Sequence, residues 1–249
     1  MVPAACHVHS EWSYDANWSL RDLAAEFAKR GFRVLLVTEH DRGFSELRFQ
    51  QHRSACAEAS SEDLLVVPGI EYGDSENVVH ILTWGVDCFL GEGLPTLQLL
   101  QKVKAQNGVA VMAHPVRREA WTRYDSSWAS YLLGIEIWNR KSDGWAPSPV
   151  GARILSETDL VPFASLDFHQ INQMFPLAMQ LDIDGEITEE KVVACLRARR
   201  CHATAFSKRV EDFLTGWRLF SLSRSERMRR FAAPFYRMAK RLGKGHQQC

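Results

Sequence analysis

Residues 33–41 read Arg33-Val34-Leu35-Leu36-Val37-Thr38-Glu39-His40-Asp41, an apolar run that ends abruptly in hydroxyl, carboxylate and imidazole groups. An unbroken apolar run of this length predicts a strand that is buried on both faces, as in a parallel sheet. The polar residues that follow would lie at the carboxyl end of that strand. In barrels of alternating strands and helices, the residues that carry out chemistry lie at this end.

Four further segments end in side chains of the same kind, and most of them also follow an apolar run. They are Cys6-His7-Val8-His9-Ser10, Gly69-Ile70-Glu71, Ala113-His114-Pro115 and Asp167-Phe168-His169. His7 and His9 are two residues apart, so an extended strand points both side chains to one face, where they can bind one ion. Because carboxyl ends of strands meet at one rim, we expect these donors to converge, which indicates a metalloenzyme.

The rest of the chain alternates between strand and helix patterns. Apolar runs predict strands over 3–9, 32–38, 64–67, 78–82, 109–113, 134–138, 161–166 and 177–183. Helical patterns and helix-capping residues predict helices over 19–30, 45–59, 95–106, 150–157 and 186–200, the last of which is amphipathic. Such a series gives an open doubly wound sheet or a closed barrel, and donors on so many successive strands favour an α/β barrel.

Composition fits one globular domain with a basic extension. The chain has 249 residues, of which 46% are hydrophobic, so it can bury a full core. Its formal net charge is zero, but residues 207–249 hold eleven Lys or Arg against three acids, which leaves the preceding part acidic. We therefore expect a catalytic domain over 1–206 and an amphipathic basic extension over 207–249.

The cysteines and the apolar segments predict a cytoplasmic protein. Cysteines are widely spaced and form no Cys-x-x-Cys pair, which favours a reducing compartment over a disulfide framework or a structural zinc knuckle. Neither a signal peptide nor an apolar run of membrane-spanning length is expected from the sequence. Attachment of the basic extension to the inner face of a membrane stays open.

Taken in order, the motifs His-x-His-Ser, Thr-Glu-His-Asp, Gly-Ile-Glu, a His followed by apolar residues, Ala-His-Pro and Asp-x-His resemble the PHP family, named for polymerase and histidinol phosphatase domains. The resemblance covers roughly residues 4–170. It implies a distorted (β/α)7 barrel whose metal ligands hold up to three ions. It implies His7, His9, Glu71 and Asp167 for the first ion, Glu71, His80 and His114 for the second, and Asp15, His40 and His169 for the third.

The chemistry of this implied ligand set favours hydrolysis. Imidazoles mixed with carboxylates suit divalent zinc, manganese or iron, and no thiolate is placed to select a softer metal. A carboxylate shared by two ions, here Glu71, would hold a bridging hydroxide as the nucleophile, so no side-chain nucleophile is needed. We therefore predict a phosphatase or phosphodiesterase that acts on a small phosphorylated metabolite or nucleotide.

Two of the implied ligands have ordinary alternatives. Asp15 lies in Tyr14-Asp15-Ala16-Asn17, which can also be a simple turn, and a lone His80 on an apolar strand can be a core residue with a satisfied hydrogen bond. His52, His202 and His246 match no motif and are expected at the surface.

Cations near the motifs are candidates for binding the phosphate of a substrate. Arg42 follows His40, while Arg117 and Arg118 follow His114, and a guanidinium binds phosphate oxygens through its planar fork. Lys141 is a further candidate. Simple solvation at the surface is the alternative for each.

Three acids could act behind the ligands. Glu39 and Asp41 flank His40 and, by strand alternation, point away from it, either towards a neighbouring imidazole or towards a helix. Glu136 is expected at a strand end opposite the site, where contact with metal, water or substrate stays open.

The basic extension carries an apolar stripe at helical spacing, which Pro234 is expected to interrupt. Its members are Phe213, Trp217, Phe220, Met228, Phe231, Phe235, Met238 and Leu242. The stripe can pack on the barrel or a second subunit, lie on an anionic membrane, or bind nucleic acid, the last being disfavoured by the acidic body. A non-catalytic scaffold recruited to a membrane or partner by this extension is the alternative to an enzyme.

Overall fold

The computed structural model describes the backbone of residues 1–244 and the side chains of residues 1–234. The strands are β1 (Val2–Val8), β2 (Val34–Val37), β3 (Glu39–His40), β4 (Leu65–Val67), β5 (Gly69–Gly73), β6 (His80–Trp84), β7 (Val109–Met112), β8 (Gly134–Asn139), β9 (Val161–Ser165), β10 (Leu177–Leu181), β11 (Cys201–Ala205) and β12 (Lys208–Arg209). The α-helices are α1 (Leu20–Ala28), α2 (Glu46–Ala59), α3 (Thr96–Ala105), α4 (Pro149–Ser156), α5 (Glu189–Arg197) and α6 (Gly216–Lys244).

The predicted helices are confirmed within a few residues of their bounds, because hydroxyl side chains fix where most of them begin. Ser19, Ser45, Ser148 and Thr188 are the N-cap residues of α1, α2, α4 and α5, and each accepts a hydrogen bond from a backbone N–H of the first turn. Each cap satisfies one of the N–H groups that a helix leaves without an intrahelical partner.

The strands form two mixed sheets of six strands each, so the α/β class is confirmed. One sheet has the order β12-β11-β10-β1-β2-β4, and the other has the order β3-β5-β6-β7-β8-β9. The pairs β1/β2 and β2/β4 are parallel, whereas β5/β6 and β6/β7 are antiparallel. Consequently β6 starts at the end of the sheet where β5 finishes.

The two sheets are joined where the residues that follow β9 form hydrogen bonds with β1. The N–H of Leu166 donates to the carbonyl of Cys6 at 3.1 Å, and the N–H of Phe168 donates to the carbonyl of His7 at 3.0 Å. In addition, β2 and β4 each continue almost directly into a strand of the other sheet, β3 and β5. A closed barrel of about seven strands stays a prediction, since the strand pairing itself divides into two sheets.

The core lies against both sheets, and its largest fully buried side chains include Trp84, Trp138 and Phe163. The approach of β5 to β6 depends on Gly69, because a Cβ atom at this position would lie 2.5 Å from the carbonyl oxygen of Thr83. Gly69 therefore allows β5 to pair closely with β6, and this pairing places the Gly-Ile-Glu motif at the rim.

Helix α6 packs on the body of the protein through Glu226, which is 6% exposed. One carboxylate oxygen accepts the N–H of Trp145 at 3.0 Å, and the carboxylate also pairs with Arg229 and Arg230. The expectation that Pro234 interrupts the helix is wrong, since α6 continues to Lys244. One lost hydrogen bond and a local bend do not end a helix whose earlier turns are held by tertiary contacts.

Some residues of the basic extension lie outside the described part of the chain. The side chains of Phe235, Met238 and Leu242, and both His246 and Cys249, fall beyond it. Among the described residues, no helix combines the length and the apolar character needed to cross a bilayer.

Asp143, in the loop that Glu226 holds, is expected to destabilise the fold as the pH rises. Burial raises the pKa of Asp143 to about 8, with Glu136 and Glu226 adding to the effect and Asn139 and Arg230 opposing it. An unfolded Asp ionises near pH 3.9, so the native state holds one more proton between these values, and the free energy of unfolding falls as pH rises through them.

We expect Asp143→Asn to be more stable than the parent protein, by about 1–3 kcal/mol at pH 8 and by less at pH 5. Urea unfolding at both pH values measures the difference. If the difference in the free energy of unfolding between the two proteins is the same at pH 5 and pH 8, the raised pKa of Asp143 is contradicted.

Candidate metal centre

The strand ends bring the predicted donors to one rim. His7 and His9 lie at the end of β1, His40 at the end of β3, and Glu71 in β5. His114 follows β7, and Asp167 and His169 follow β9. His80 reaches the same rim from the opposite direction, because it begins β6 and pairs with Gly73 near the end of β5.

Glu71 is the centre of the cluster and is 1% exposed. Its Oε1 lies 2.6 Å from Nδ1 of His80 and 2.9 Å from Nε2 of His114. Its Oε2 lies 3.0 Å from Nδ1 of His40 and 3.4 Å from Nε2 of both His7 and His9. Burial alone would raise the pKa of Glu71, but the imidazoles, His80 and His7 foremost, bring it well below its ordinary value.

Two aspartates complete the cluster. Oδ1 of Asp167 lies 3.7 Å from Nε2 of His7 and 3.6 Å from Nε2 of His9. The carboxylate of Asp15 reaches Nε2 of His40 at 3.2 Å and Nε2 of His169 at 3.0 Å. The turn that contains Asp15 therefore directs its carboxylate into the cluster.

The donor set fits divalent cations. Four groups of three donors have ligand atoms that all lie within 4.8 Å of one another: His7/His9/Glu71, Glu71/His80/His114, His7/His114/Asp167 and His9/His40/His169. Buried polar atoms that form no well-aligned hydrogen bond collect at the same place, namely Nε2 of His7, His9 and His40, Nδ1 of His114 and Oε2 of Glu71. Unsatisfied buried polar atoms are costly in a native fold, and bound cations would satisfy these together.

Glu136 holds two members of the cluster from behind. Its Oε1 accepts a hydrogen bond from Nδ1 of His7 at 2.8 Å, while its Oε2 accepts from the backbone N–H of His114 at 2.6 Å and from Nδ2 of Asn139 at 2.8 Å. Because Nδ1 of His7 donates to Glu136, Nε2 faces the centre of the cluster, where it would be the atom that binds a cation. Burial opposes protonation of His7, but Glu136, Asp167 and Glu71 raise its pKa well above the ordinary value.

Glu39 orients His9 through a serine. Fully buried, it accepts hydrogen bonds from the hydroxyls of Ser10 and Ser13. Because the single hydroxyl proton of Ser13 is directed to Glu39, Oγ of Ser13 accepts from Nδ1 of His9 at 3.2 Å. Both roles left open for Glu39 are present, since it orients His9 through Ser13 and also faces α2, where Nε2 of His52 lies 3.8 Å away. Asp41 instead accepts the backbone N–H of Gly73 at 3.3 Å.

Three residues of the cluster have a backbone conformation that side chains seldom adopt. The φ angles of His7, His114 and Asp167 are 59°, 22° and 47°. Such angles cost about 1–3 kcal/mol each for a residue with a side chain, and they persist where the surrounding structure requires them. His7 lies at an irregularity near the end of β1, while His114 and Asp167 lie just after β7 and β9.

A cleft of about 330 Å³ opens in front of His40, Glu71 and His80. Arg42 lines this cleft and stacks over the ring of Tyr14, with 5.8 Å between guanidinium carbon and ring centroid.

The other predicted cations occupy different positions around the cluster. Nη1 of Arg117 lies 3.0 Å from Nε2 of His80, whereas Arg118 is exposed and donates to the carbonyl of Asn77. Nζ of Lys141 lies 3.3 Å from Oδ1 of Asp167 and 3.1 Å from Nε2 of His169.

The expectation for His52 is wrong, because this histidine is fully buried. It lies 3.4 Å from Sγ of Cys56 and 3.8 Å from Glu39, and burial, with Arg48 and Arg53, lowers its pKa to about 3. His202 is partly exposed on β11, away from the cluster.

Sequence reasoning missed three polar partners of the cluster. Ser13 contacts His9, Asn139 contacts Glu136, and Oδ1 of Asn77 lies 2.6 Å from Nε2 of His80. The closeness of Ser13 to the His-x-His-Ser motif is the single sequence signal for any of them.

The sequence matches no protein-family model and no curated protein. Solved structures are similar in fold. A two-domain protein from Bacteroides vulgatus that contains a predicted PHP-like metal-dependent phosphoesterase superposes with a TM-score of 0.64 and 17% identity, over 82% of this chain and 64% of the other. This chain thus spans about 64% of the length of that protein.

Two further structures show the same architecture. PsfC from Pseudomonas syringae has a TM-score of 0.62 and 14% identity, over 83% of this chain and 92% of the other. The lesion-specific endonuclease PfuEndoQ from Pyrococcus furiosus has a TM-score of 0.53 and 14% identity, over 79% of this chain and 56% of the other. The chain therefore has the fold of the PHP-like metal-dependent phosphoesterases.

Proposed function

We propose that this protein is a metal-dependent phosphoesterase that hydrolyses a small phosphorylated compound. The observation that supports this most strongly is the set of buried imidazole and carboxylate atoms around Glu71, several of which form no well-aligned hydrogen bond. Hydrogen bonds from behind fix the outer nitrogens of His7 and His9, so their inner nitrogens are directed to the cluster. Such preorganisation is typical of ligands and has no evident use in a core.

In this proposal the two sheets form the wall of a distorted barrel of the PHP type, with up to three divalent ions at its rim. His7, His9, Glu71 and Asp167 would hold one ion, Glu71, His80 and His114 a second, and Asp15, His40 and His169 a third. When bound, such cations lower the pKa of water to about 7 and offset charge on phosphoryl oxygens.

The residues of the chain itself have three tasks in this reaction. Glu71 places its carboxylate between the groups of donors and so fixes their spacing. Glu136 and the Glu39–Ser13 pair keep protons on the outer nitrogens of His7 and His9. Arg117 and Lys141 present N–H groups beside the cluster, where they can bind phosphoryl oxygens.

The size of the cleft supports a small substrate. A volume of about 330 Å³ lies at the lower end of the range for small-molecule sites. The carboxylates of Asp41, Asp74 and Glu92 also line it, which disfavours a long polyanion such as nucleic acid.

Metal analysis combined with activity measurements tests the proposal. Purified protein is analysed for zinc, manganese and iron, then stripped with a chelator, reloaded with each ion, and assayed against panels of phosphomonoesters and phosphodiesters. We expect bound metal and hydrolysis that the chelator removes and an added ion restores. Protein that binds no divalent ion would refute the proposal. Metal-loaded protein that cleaves no member of either panel would instead favour a non-catalytic scaffold.

Arg117→Gln is expected to raise KM for the best substrate by about tenfold with a smaller change in kcat, because a guanidinium–phosphate contact contributes mainly to binding. Arg117 lies between His80 and a larger crevice of about 790 Å³, so it can contact the part of a substrate that does not react. Steady-state kinetics measure the change. The matched control is Arg123→Gln, which removes an exposed arginine paired with Glu76. An equal rise in KM in both variants would contradict the role of Arg117.

A further inference from the structure

Helix α6 carries a row of large apolar side chains that point away from the body of the protein. The exposed fractions of Trp217, Phe220 and Met228 are 75%, 61% and 64%. With Arg224, these residues follow one another at spacings of three, four and four, which places them on one face of a helix. We refer to Trp217, Phe220, Arg224 and Met228 as the outward face.

The opposite side of α6 is already occupied. At about 3.6 residues per turn, Glu226 lies on the far side of the helix from Trp217. There it accepts the N–H of Trp145 and pairs with Arg229 and Arg230, while Arg230 also donates to the carbonyl of Asp143. The helix is therefore fixed on the body by the side that carries Glu226 and the partly buried Leu222, and the outward face remains in contact with solvent. Packing of the outward face on the body of the same chain is excluded.

Positive charge surrounds the outward face. Between Gly216 and Pro234 the helix has five arginines and one acid, Glu226, which is already paired. Arg224 and Arg227 form no ion pair with any residue that the structure describes. Exposed aromatic residues together with unpaired arginines match the interface of an anionic bilayer, where rings enter the headgroup region and cations meet lipid phosphates.

A second copy of the chain fits this face less well. Arg224 lies between Phe220 and Met228, so a two-fold contact across the outward face would bring the arginines of both copies together without a carboxylate between them. Nucleic acid would satisfy the arginines but leave Trp217 and Phe220 without an apolar environment. A lipid surface satisfies both.

We propose that the outward face of α6 docks on an anionic lipid bilayer and holds the protein at the membrane surface. The helix lies in the plane of the interface and does not cross the bilayer. This inference is independent of the proposed catalytic activity.

Co-sedimentation of the full chain with vesicles tests the proposal. Vesicles contain either equal parts phosphatidylglycerol and phosphatidylcholine or phosphatidylcholine alone. We expect binding to the anionic vesicles that is at least about tenfold stronger than to the neutral ones and that weakens as salt is raised.

Two variants separate the apolar and the charged contributions. Trp217→Ser/Phe220→Ser and Arg224→Gln/Arg227→Gln should each weaken binding to anionic vesicles by about tenfold or more. The matched control is Leu47→Ser/Leu97→Ser, which removes exposed leucines from α2 and α3 and should bind as the parent does. Circular dichroism confirms that each variant is folded.

Three outcomes would overturn the proposal. One is equal binding to both kinds of vesicle, or none to either. Another is a concentration-dependent dimer that Trp217→Ser/Phe220→Ser abolishes while vesicle binding is absent. The third is binding to a DNA duplex that is tighter than vesicle binding and unaffected by loss of the two rings.

Discussion

Replacing Glu71 with Gln should lower turnover by at least about 10³-fold and deplete bound metal, while the protein stays folded. Five imidazoles contact this one carboxylate, and the amide keeps its shape but removes its negative charge. Loss of that charge weakens every group of donors that shares Glu71. Elemental analysis and steady-state kinetics on the purified variant measure the two effects.

The control for Glu71→Gln is Glu189→Gln, which makes the same chemical change at a half-buried carboxylate on α5 that pairs with Arg53 at 3.5 Å. This control should retain its metal and its turnover. Full metal content together with parental turnover in Glu71→Gln would show that Glu71 is a buried structural acid and not a ligand.

Glu136→Gln is expected to reduce both stability and metal affinity, although Glu136 lies behind the cluster. Every contact of its carboxylate is a donor: Nδ1 of His7, the N–H of His114 and Nδ2 of Asn139. A glutamine offers one oxygen in place of two, so its NH₂ group must face a donor in either orientation. We expect a loss of about 1–3 kcal/mol in the free energy of unfolding and a metal affinity that is weaker by about 10–100-fold.

Titration with metal distinguishes Glu136→Gln from Glu71→Gln. A residue that positions ligands can be compensated by a high concentration of metal, so turnover of Glu136→Gln should recover when the ion is saturating. Glu71→Gln should not recover under the same conditions. Unfolding in urea and metal titration measure the stability and the affinity. Parental values for both would mean that Glu136 does not orient His7.

Most of the donor positions could be predicted from the sequence because they follow from local pattern. Apolar runs predict strands, strand ends meet at one rim, and side chains such as His40 and His114 come directly after such runs. His80 reaches the rim for a different reason, since it begins an antiparallel strand, and resemblance rather than the apolar pattern indicated it. The apolar pattern of β6 does not show whether this strand runs parallel or antiparallel to β5.

Other features depend on contacts between distant elements and were missed or misjudged. His52 is buried because the side of α2 that carries it packs against Glu39 and Trp12. Helix α2 has no clear amphipathic pattern, so the sequence does not indicate which of its sides is buried. Strand β11 reads Cys201-His202-Ala203-Thr204-Ala205, which has few large apolar residues and is held by pairing with β10. The apolar stripe on α6 is exposed because Glu226, on the opposite side of the helix, contacts the loop at Trp145. The spacing of apolar residues in the sequence does not indicate this contact.

The left-handed backbone at His7, His114 and Asp167 affects how variants of this protein should be selected. Glycine adopts these angles at little cost, so changing one of these residues to glycine removes a donor and relaxes the main chain at the same time. An inactive variant can then melt at a higher temperature than its parent. A library sorted by thermal tolerance alone would enrich such losses, and selection for improved catalysts has to include turnover from the first round.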